Sequence, residues 1–402
     1  MKEGWTYKKF KDICYSISDG DWIEKKDQSD SGIRLIQTGN IGVGVFIPKD
    51  DSHKYISEET FKRLKCTEIF EGDILISRLP NPLGRSCVLP LLETKCITAV
   101  DCSILKIIDN IVSPHFFVYY TQSQGYFSKI NSESSGTTRA RITRKKLEEM
   151  EIPVPSIEEQ QRIVSRLDSA FAHIDERKAN AEKQLSEARA LFQKALTKAM
   201  EPKEGWEEKK LGEICQIKGG KRLPKGYVLS TEPLYNRYIT VADFTINGTI
   251  IPSTVKYISE EVYKTIHRYT ITSADVYVTI VGSTVGKTGI IPPELDGANL
   301  TENACKLVLN KDCDKRFVYY IMCSDYVIKQ EQLLTKVSAQ PKLALNRLAS
   351  IVVYIPSLSE QQRIVSRLDS LSAHVRELEE VLQKTIAECD ALKQALLRQV
   401  FE

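Results

Sequence analysis

Val281-Gly-Ser-Thr-Val-Gly-Lys-Thr288 is the segment that comes nearest to a catalytic motif, with hydroxyls, glycines and a lysine after a β-branched run. A phosphate-cradling loop needs four residues between its first glycine and its Gly-Lys pair, whereas Gly282 to Gly286 leaves three. The residues that follow, Gly289-Ile-Ile-Pro-Pro, read as extended, so no helix N-terminus would receive a phosphate. The matching place upstream holds Asn81-Pro-Leu-Gly-Arg85, a loop offering a glycine and a cation to something anionic. No GxSxG elbow and no dinucleotide loop occurs, and Asn81-Pro82-Leu83 is not the Asn-Pro-Pro-aromatic of adenine methylation. The five histidines form no HxxxH or HExxH, and the ten cysteines no CxxC. The expectation is a chain without metal, cofactor or catalytic site, its thiols reduced.

What remains is basic chemistry on loops. Ser135-Gly-Thr-Thr-Arg-Ala-Arg-Ile-Thr-Arg-Lys-Lys146 carries five cations in twelve residues, with hydroxyls between them. Its counterpart is Lys336-Val-Ser-Ala-Gln-Pro-Lys342, and Lys218-Gly-Gly-Lys-Arg-Leu-Pro-Lys225 adds four cations around glycines. Lys and Arg neutralise phosphates, while Arg and Gln make two-point hydrogen bonds to base edges. Net charge is only +3 over 402 residues, so any nucleic-acid surface must be local. The Met1-Lys-Glu-Gly-Trp start lacks the apolar core of a signal peptide, and no run of about 18 apolar residues exists. A cytoplasmic chain off the membrane is expected.

The elements that must hold these loops come in two copies. Glu-Gly-Trp at 3–5 recurs at 204–206, and Glu-Gln-Gln-Arg-Ile-Val-Ser-Arg-Leu-Asp-Ser at 159–169 recurs at 360–370, both offset by 201. Lys-Tyr-Ile-Ser-Glu-Glu repeats at an offset of 202 and Phe-Val-Tyr-Tyr, at 117–120 and 317–320, at 200. Residues 1–155 and 202–356 carry short strand-like runs such as Asp73–Ser77, Cys102–Ile108, Asp275–Val281 and Cys305–Leu309, with helices expected over Phe116–Phe127 and Arg316–Gln332. Residues 156–201 and 357–402 read as one long helix each, opened by the capping boxes Ser156-Ile-Glu-Glu159 and Ser357-Leu-Ser-Glu360.

Alternating steps of four and three from Ile364 trace a seam through Leu368, Leu371, Val375, Leu378, Leu382, Thr385, Cys389, Leu392, Leu396 and Gln399. The first helix gives Ile163, Leu167, Ala170, Ile174, Arg177, Ala181, Gln184, Ala188, Leu191, Ala195 and Lys198. A 3.5-residue spacing fits a coiled coil, and ~43 residues at ~1.5 Å each give a rod of roughly 65 Å. The fold expected is α+β: two α/β domains in tandem, each followed by a long helix, the helices pairing as an antiparallel coiled-coil spacer.

The Gly-Trp opening of each copy, the Ile-Pro-x-Pro-Ser-x-x-Glu-Gln-Gln-Arg-Ile run into each long helix, and Ala190-Leu-Phe-Gln-Lys-Ala-Leu resemble the specificity subunit of type I restriction–modification systems. The resemblance spans both copies. It implies two target-recognition domains, each reading one half of a split, asymmetric site in double-stranded DNA. It also implies docking of two modification subunits that carry S-adenosylmethionine and methylate adenine N6, with ATP-dependent restriction subunits able to join. By matching position, Arg78, Arg85, Thr137, Thr138, Arg139 and Arg141 would face DNA in the first domain. Lys221, Arg222, Ser283, Thr284, Lys287, Gln340 and Lys342 would do so in the second. Gln160, Gln161, Arg162, Gln361, Gln362 and Arg363 would lie near the modification subunits. Two other classes compete: a coiled-coil scaffold whose globules bind protein, with DNA affinity flat in salt, and an enzyme, revealed by turnover of nucleotide or methyl donor.

Overall fold

β-Branched side chains fit a pleated, half-buried surface, and the runs rich in them become strands in the same order in both copies. The computed structural model describes residues 4–49, 52–136, 140–245, 247–336 and 341–402. It divides into two compact units, Met1–Glu182 with Gln383–Glu402, and Lys183–Leu382.

In the first unit, Cys14–Asp19, Cys102–Ile107, Ile74–Ser77 and Ser86–Val88 form an antiparallel sheet in that order. A second, mixed sheet runs Gln28–Ser29, Tyr55–Ile56, Ile33–Ile36, Cys96–Thr98, Glu68–Ile69, with a parallel pair between Ile33–Ile36 and Cys96–Thr98. A two-stranded ladder sets Thr6–Lys9 against Glu151–Val154. The second unit repeats the plan. Its first sheet runs Cys215–Gly219, Ala304–Leu309, Val276–Thr279, Thr288–Ile290; its second runs Lys256–Ile258, Asn236–Ile239, Ala298–Leu300, Thr270–Ile271. The edge strand Gln28–Ser29 is reduced there to a single bridge between Ser230 and Tyr257. Each first sheet also carries a lysine–aspartate pair with the carboxylate buried, Lys106–Asp73 at 3.2 Å and Lys306–Asp275 at 3.0 Å.

The helices expected as single pieces are each broken by a serine. Pro114–Tyr120 and Gln124–Glu133 are separated because Ser123 caps the second through Tyr126 N at 3.2 Å. Lys315–Met322 and Asp325–Leu334 are separated by Ser324 in the same way. The structure also corrects the register of the repeat. Tyr119 donates to Asp168 at 2.5 Å and Tyr320 to Asp369 at 2.6 Å; Trp5 packs on Phe116 and Trp206 on Phe317. These equivalences hold the offset at 201, so the Phe-Val-Tyr-Tyr match at 200 joins residues that are not structural counterparts.

Each long helix, Ile157–Met200 and Leu358–Phe401, is anchored at its start by a buried glutamine. Gln160 Oε1 accepts from Ser113 N at 2.8 Å, while its Nε2 donates to Ile111 O and Pro155 O at 2.9 and 3.0 Å. Gln361 repeats this on Asp314 N, Asp312 O and Pro356 O. Both are wholly buried. Placing Gln160 and Gln361 on a partner-facing surface is therefore corrected: their amides are spent on the chain's own backbone. Ser156 caps Glu159 N at 3.3 Å, and the Glu159 carboxylate takes Arg162 at 2.7 and 2.8 Å. Glu360 takes Arg363 alike.

The heptad spacing of the helices holds, but seven alternate seam positions lie one residue later than the alternation from Ile364 places them. Arg177, Gln184, Leu191 and Lys198 are exposed, and Lys178, Leu185, Phe192 and Ala199 turn inward instead. On the second helix Leu378, Leu392 and Gln399 give way to Glu379, Lys393 and Val400. The polar members of this inner row find partners across the pair. In the first unit Lys178 meets Asp390 at 2.7 Å and Lys393 meets Asp175 at 2.5 Å, so the segments run antiparallel. In the second, Arg189 meets Glu379 at 2.7 Å while Leu196 and Met200 pack with Ile364 and Leu368.

Each unit's core is closed by the helix end of the other copy. Phe401 packs edge-on against Phe116 and Tyr120, with ring centroids 5.4 and 5.6 Å apart, and Leu397 is 1% exposed. Leu196 and Met200 do the same for the second unit. Leu397→Ala is therefore expected to cost about 2–5 kcal/mol and to speed amide exchange in Gln124–Glu133, more than 250 residues away in sequence. Hydrogen-exchange mass spectrometry checks this; unchanged exchange there would show that the core closes without the C-terminal helix.

Candidate nucleic-acid interface

In each unit the strand-to-strand turn after the central strand, the turn before the six-residue strand, and a bridged loop come together at one end of the first sheet. In the second unit Ile280 N and Val281 N donate to Asn303 O at 2.8 and 3.2 Å, Lys221 N to Leu300 O at 2.8 Å, and Gly282 N to Pro341 O at 3.0 Å. Lys342 bridges both Val281 and Lys336. Lys221, Arg222, Ser283, Thr284 and Lys342 thus gather on one surface, all exposed. Arg222 is held by Glu302 at 2.5 Å, and the Lys221 ammonium lies 5.6 Å from the centre of the Tyr269 ring. In the first unit Ser135 and Arg141 exchange backbone bonds at 3.0 and 2.9 Å, closing the counterpart loop. Exposed Arg141 pairs with Asp101 at 2.9 Å. Thr137, Thr138, Arg139 and Gln340 lie outside the described residues.

Three expected contact residues have other work. Arg85 is buried and gives its guanidinium to four carbonyls: Ile41 at 2.6 Å, Leu79 at 3.0 Å, Pro82 at 2.9 Å and Thr38 at 2.8 Å. Arg78 is buried against Asp19 at 3.2 Å and bonds Val100 O. Desolvation pulls both guanidinium pKa values down from the usual range. Lys287 occupies the place of Arg85 and donates to Phe244 O, the counterpart of Ile41 O. The expectation that these cations reach toward an anion is corrected: Arg85 and Lys287 tie their loop to the short 3₁₀ turn at Thr38–Asn40 or Val241–Asp243, and Arg78 is spent on Asp19 and Val100 O. Sequence shows a cation after a glycine at the matching place of both copies; only packing shows that it points inward.

The turn at 282–287 is a hairpin into Thr288–Ile290, which removes the phosphate-loop reading as the extended residues suggested. Thr279 N bonds Lys287 O at 2.8 Å and Gly286 N bonds Thr279 O at 2.9 Å. Gly286, at φ +87°, lies over the Glu331 carboxylate with no room for a Cβ. In the first copy the same place holds Gly84 over Ile130, with Tyr126 donating to Gly84 O at 2.8 Å. Glu331 was not singled out from sequence, since a glutamate in a polar helix carries no sign of burial. It is 3% exposed, its Oε1 lacks a hydrogen-bond partner among the described residues, and desolvation pushes its pKa up to about 8.

Among the described residues no cluster of His, Cys, Asp and Glu could hold a metal, and no helix is long and apolar enough to cross a membrane. On the helix starts, Gln161, Arg162, Gln362 and Arg363 are exposed, unlike Gln160 and Gln361.

The family profile described as the type I restriction modification DNA specificity domain matches residues 2–186 and again 203–388. The chain is 25% identical over 310 residues to the EcoBI type I restriction enzyme specificity subunit of Escherichia coli, covering 70% of this chain and 64% of that protein. It is 24% identical over 412 residues to the StySPI specificity subunit of Salmonella potsdam, covering 94% of this chain and 84% of the other. A chain solved in work on complex assembly and conformational transition of the type I R-M system superposes with a TM-score of 0.78 at 19% identity, covering 100% and 98% of the two chains; at that identity the likeness is one of fold.

The buried glutamate has a pH signature. The unfolded chain loses the Glu331 proton near the usual 4.5, the folded chain near about 8. Between those values the folded state holds more protons, so stability falls as pH rises, by at most ~1.4 kcal/mol per pH unit. Glu331→Gln is expected to flatten this slope, read as denaturation midpoints of both proteins across that window. Parallel profiles would show that Glu331 ionises in place.

Proposed function

The chain belongs to the type I restriction modification DNA specificity family, and we propose on that footing that it reads DNA for a type I restriction–modification complex as its non-catalytic subunit. Each unit would read one block of a split, asymmetric target. The bound modification subunits would supply S-adenosylmethionine and methylate adenine N6, and restriction subunits would add ATP-driven translocation and cleavage.

One observation carries the reading: the two copies agree where exposure makes agreement unnecessary for folding. Within the identical run at 159–169 and 360–370, burial accounts for Gln160, Ile163 and Leu167 and their copies. It does not account for Gln161, Arg162, Ser165, Arg166 and Ser169, which are exposed in the first copy as their counterparts are in the second. An exposed face kept identical fits two identical partners. The sheet-end surfaces differ instead: Arg141 with Asp101 in one unit, Lys221, Arg222, Ser283, Thr284 and Lys342 in the other. Surfaces that differ on matching scaffolds fit two different base sequences. The loops holding Thr137, Thr138, Arg139 and Gln340 are proposed to reach the same DNA.

Modification-sensitive sequencing of DNA from cells expressing this chain with its neighbouring modification subunit should show methyladenine in two short blocks separated by a fixed gap, lost when this chain is omitted. A stable complex that leaves no motif, from a chain whose DNA affinity is flat in salt, would favour a protein scaffold. Reversing the shared face with Arg162→Glu and Arg363→Glu should abolish capture of modification subunits and leave DNA binding by the isolated chain within about twofold. Intact capture would remove that face from the interface.

A further inference from the structure

Within the second unit a cleft of about 290 Å³ opens between the start of Lys315–Met322, the second long helix and the turns at 247–249 and 290–293. It stands at the opposite end of the first sheet from the loop surface. Strand Thr288–Ile290 runs away from the 282–287 turn and delivers Ile290 and Pro293 here, while Ala304–Leu309 leads toward Lys315.

Three cations from two helices line the cleft: Lys315, Arg316 and Arg376. No carboxylate among the described residues is part of its wall. Arg316 is neutralised from behind by Asp369 at 2.5 Å. The other two charges have no such partner among the described residues. Lys315 Nζ donates to Ser273 O at 3.0 Å, and Arg376 Nη2 makes one long contact to Asn247 O at 3.5 Å. Arg376 also has Glu380 one helical turn on, an ordinary i,i+4 pairing, and does not take it within ion-pair distance. It lines the cleft instead.

A glycine also keeps the cleft open. Gly248, at φ +67°, lies flat on Tyr319, where any Cβ would strike the phenol. Thr249, Ser273 and Asn247 add polar groups to the wall. The three cations are not inherited from the duplication. At the structural offset of 201 the first copy has Pro114, His115 and Asp175 where the second has Lys315, Arg316 and Arg376. The first copy thus has an acid, paired with Lys393, at the place of the least satisfied cation.

We propose that this cleft is a phosphate-binding site, held by Lys315 and Arg376 with Arg316 as the rear wall. Like charges gathered without a counter-ion are stabilised when a multivalent anion enters, and guanidinium with ammonium donors match its oxygens. Two sources share that chemistry: a backbone phosphate of bound DNA, which would deepen the proposed function and rests on it, and a free phosphate group, which would not.

The test uses the full chain, with inorganic phosphate and cognate or random duplex DNA as probes. Arg376→Gln and Arg376→Asp, the latter borrowing the first copy's residue, are compared with Lys384→Gln, which neutralises a cation elsewhere on the same helix. Circular dichroism controls for folding. Wild type and Lys384→Gln should bind phosphate by calorimetry, with affinity falling roughly tenfold in Arg376→Gln and further in Arg376→Asp. If the source is DNA, the slope of log affinity against log salt also drops by ~0.9 per cation removed. A phosphate effect with an unchanged slope assigns the site to free phosphate, and it survives even if the chain binds no DNA. Equal phosphate binding in wild type and Arg376→Asp, with equal salt slopes, would overturn the site.

Discussion

The structure depends on a shortage. A helix of 44 residues with one narrow apolar row cannot bury enough surface to stand alone, and neither sheet globule closes its own core. Each shortage meets the other. The end of the second helix, through Leu397 and Phe401, seals the first globule, and the end of the first, through Leu196 and Met200, seals the second. Each compact unit is therefore built from both repeats, and the duplication is interlocked. That constraint accounts for the buried apolar residues kept at the helix starts, Ile163 and Leu167 with Ile364 and Leu368.

The buried glutamines show how a repeated function can be hidden inside a repeated fold. Gln160 and Gln361 pair three backbone groups each at the junction between globule and helix. Leaving such groups unpaired would cost about 1–3 kcal/mol apiece. Their neighbours Gln161 and Gln362, one residue on, face water. A single run of identical sequence thus holds both a structural clamp and an exposed face, interleaved at helical spacing. The same division separates Arg85 and Lys287, locked onto carbonyls, from Ser283 and Thr284 at the tip of the same hairpin.

Glu331 and the cationic cleft mark where the second copy has departed from the first. Where the first copy packs Ile130 under Gly84, the second carries a desolvated carboxyl under Gly286. Where the first has Asp175, the second has Arg376. Both departures lie in one unit, and both change charge rather than topology, since the strand order of the first sheet is the same in both copies. Divergence between the copies has therefore acted on electrostatics within a fixed frame.

The sequence by itself determined the duplication, the strand runs, the two long helices, their serine starts and the family, because these rest on local periodicity and on motifs that recur at a constant offset. It also excluded a phosphate loop, since three residues between glycines cannot make the turn that four make. Only the tertiary structure decided the direction of side chains. The offset of 200 at Phe-Val-Tyr-Tyr read as homology until Tyr119 and Tyr320 were seen on Asp168 and Asp369. The seam slipped by one residue at alternate positions because the inward-facing side is set by the partner helix, and Lys178, Glu379 and Lys393 turn in to meet opposite charges. Arg78 and Arg85 look like reagents in a list of residues and prove to be mortar. Long-range burial decides whether a cation reads a ligand or holds a loop, and burial is a property of what lies across the fold rather than of the residue's neighbours in the chain.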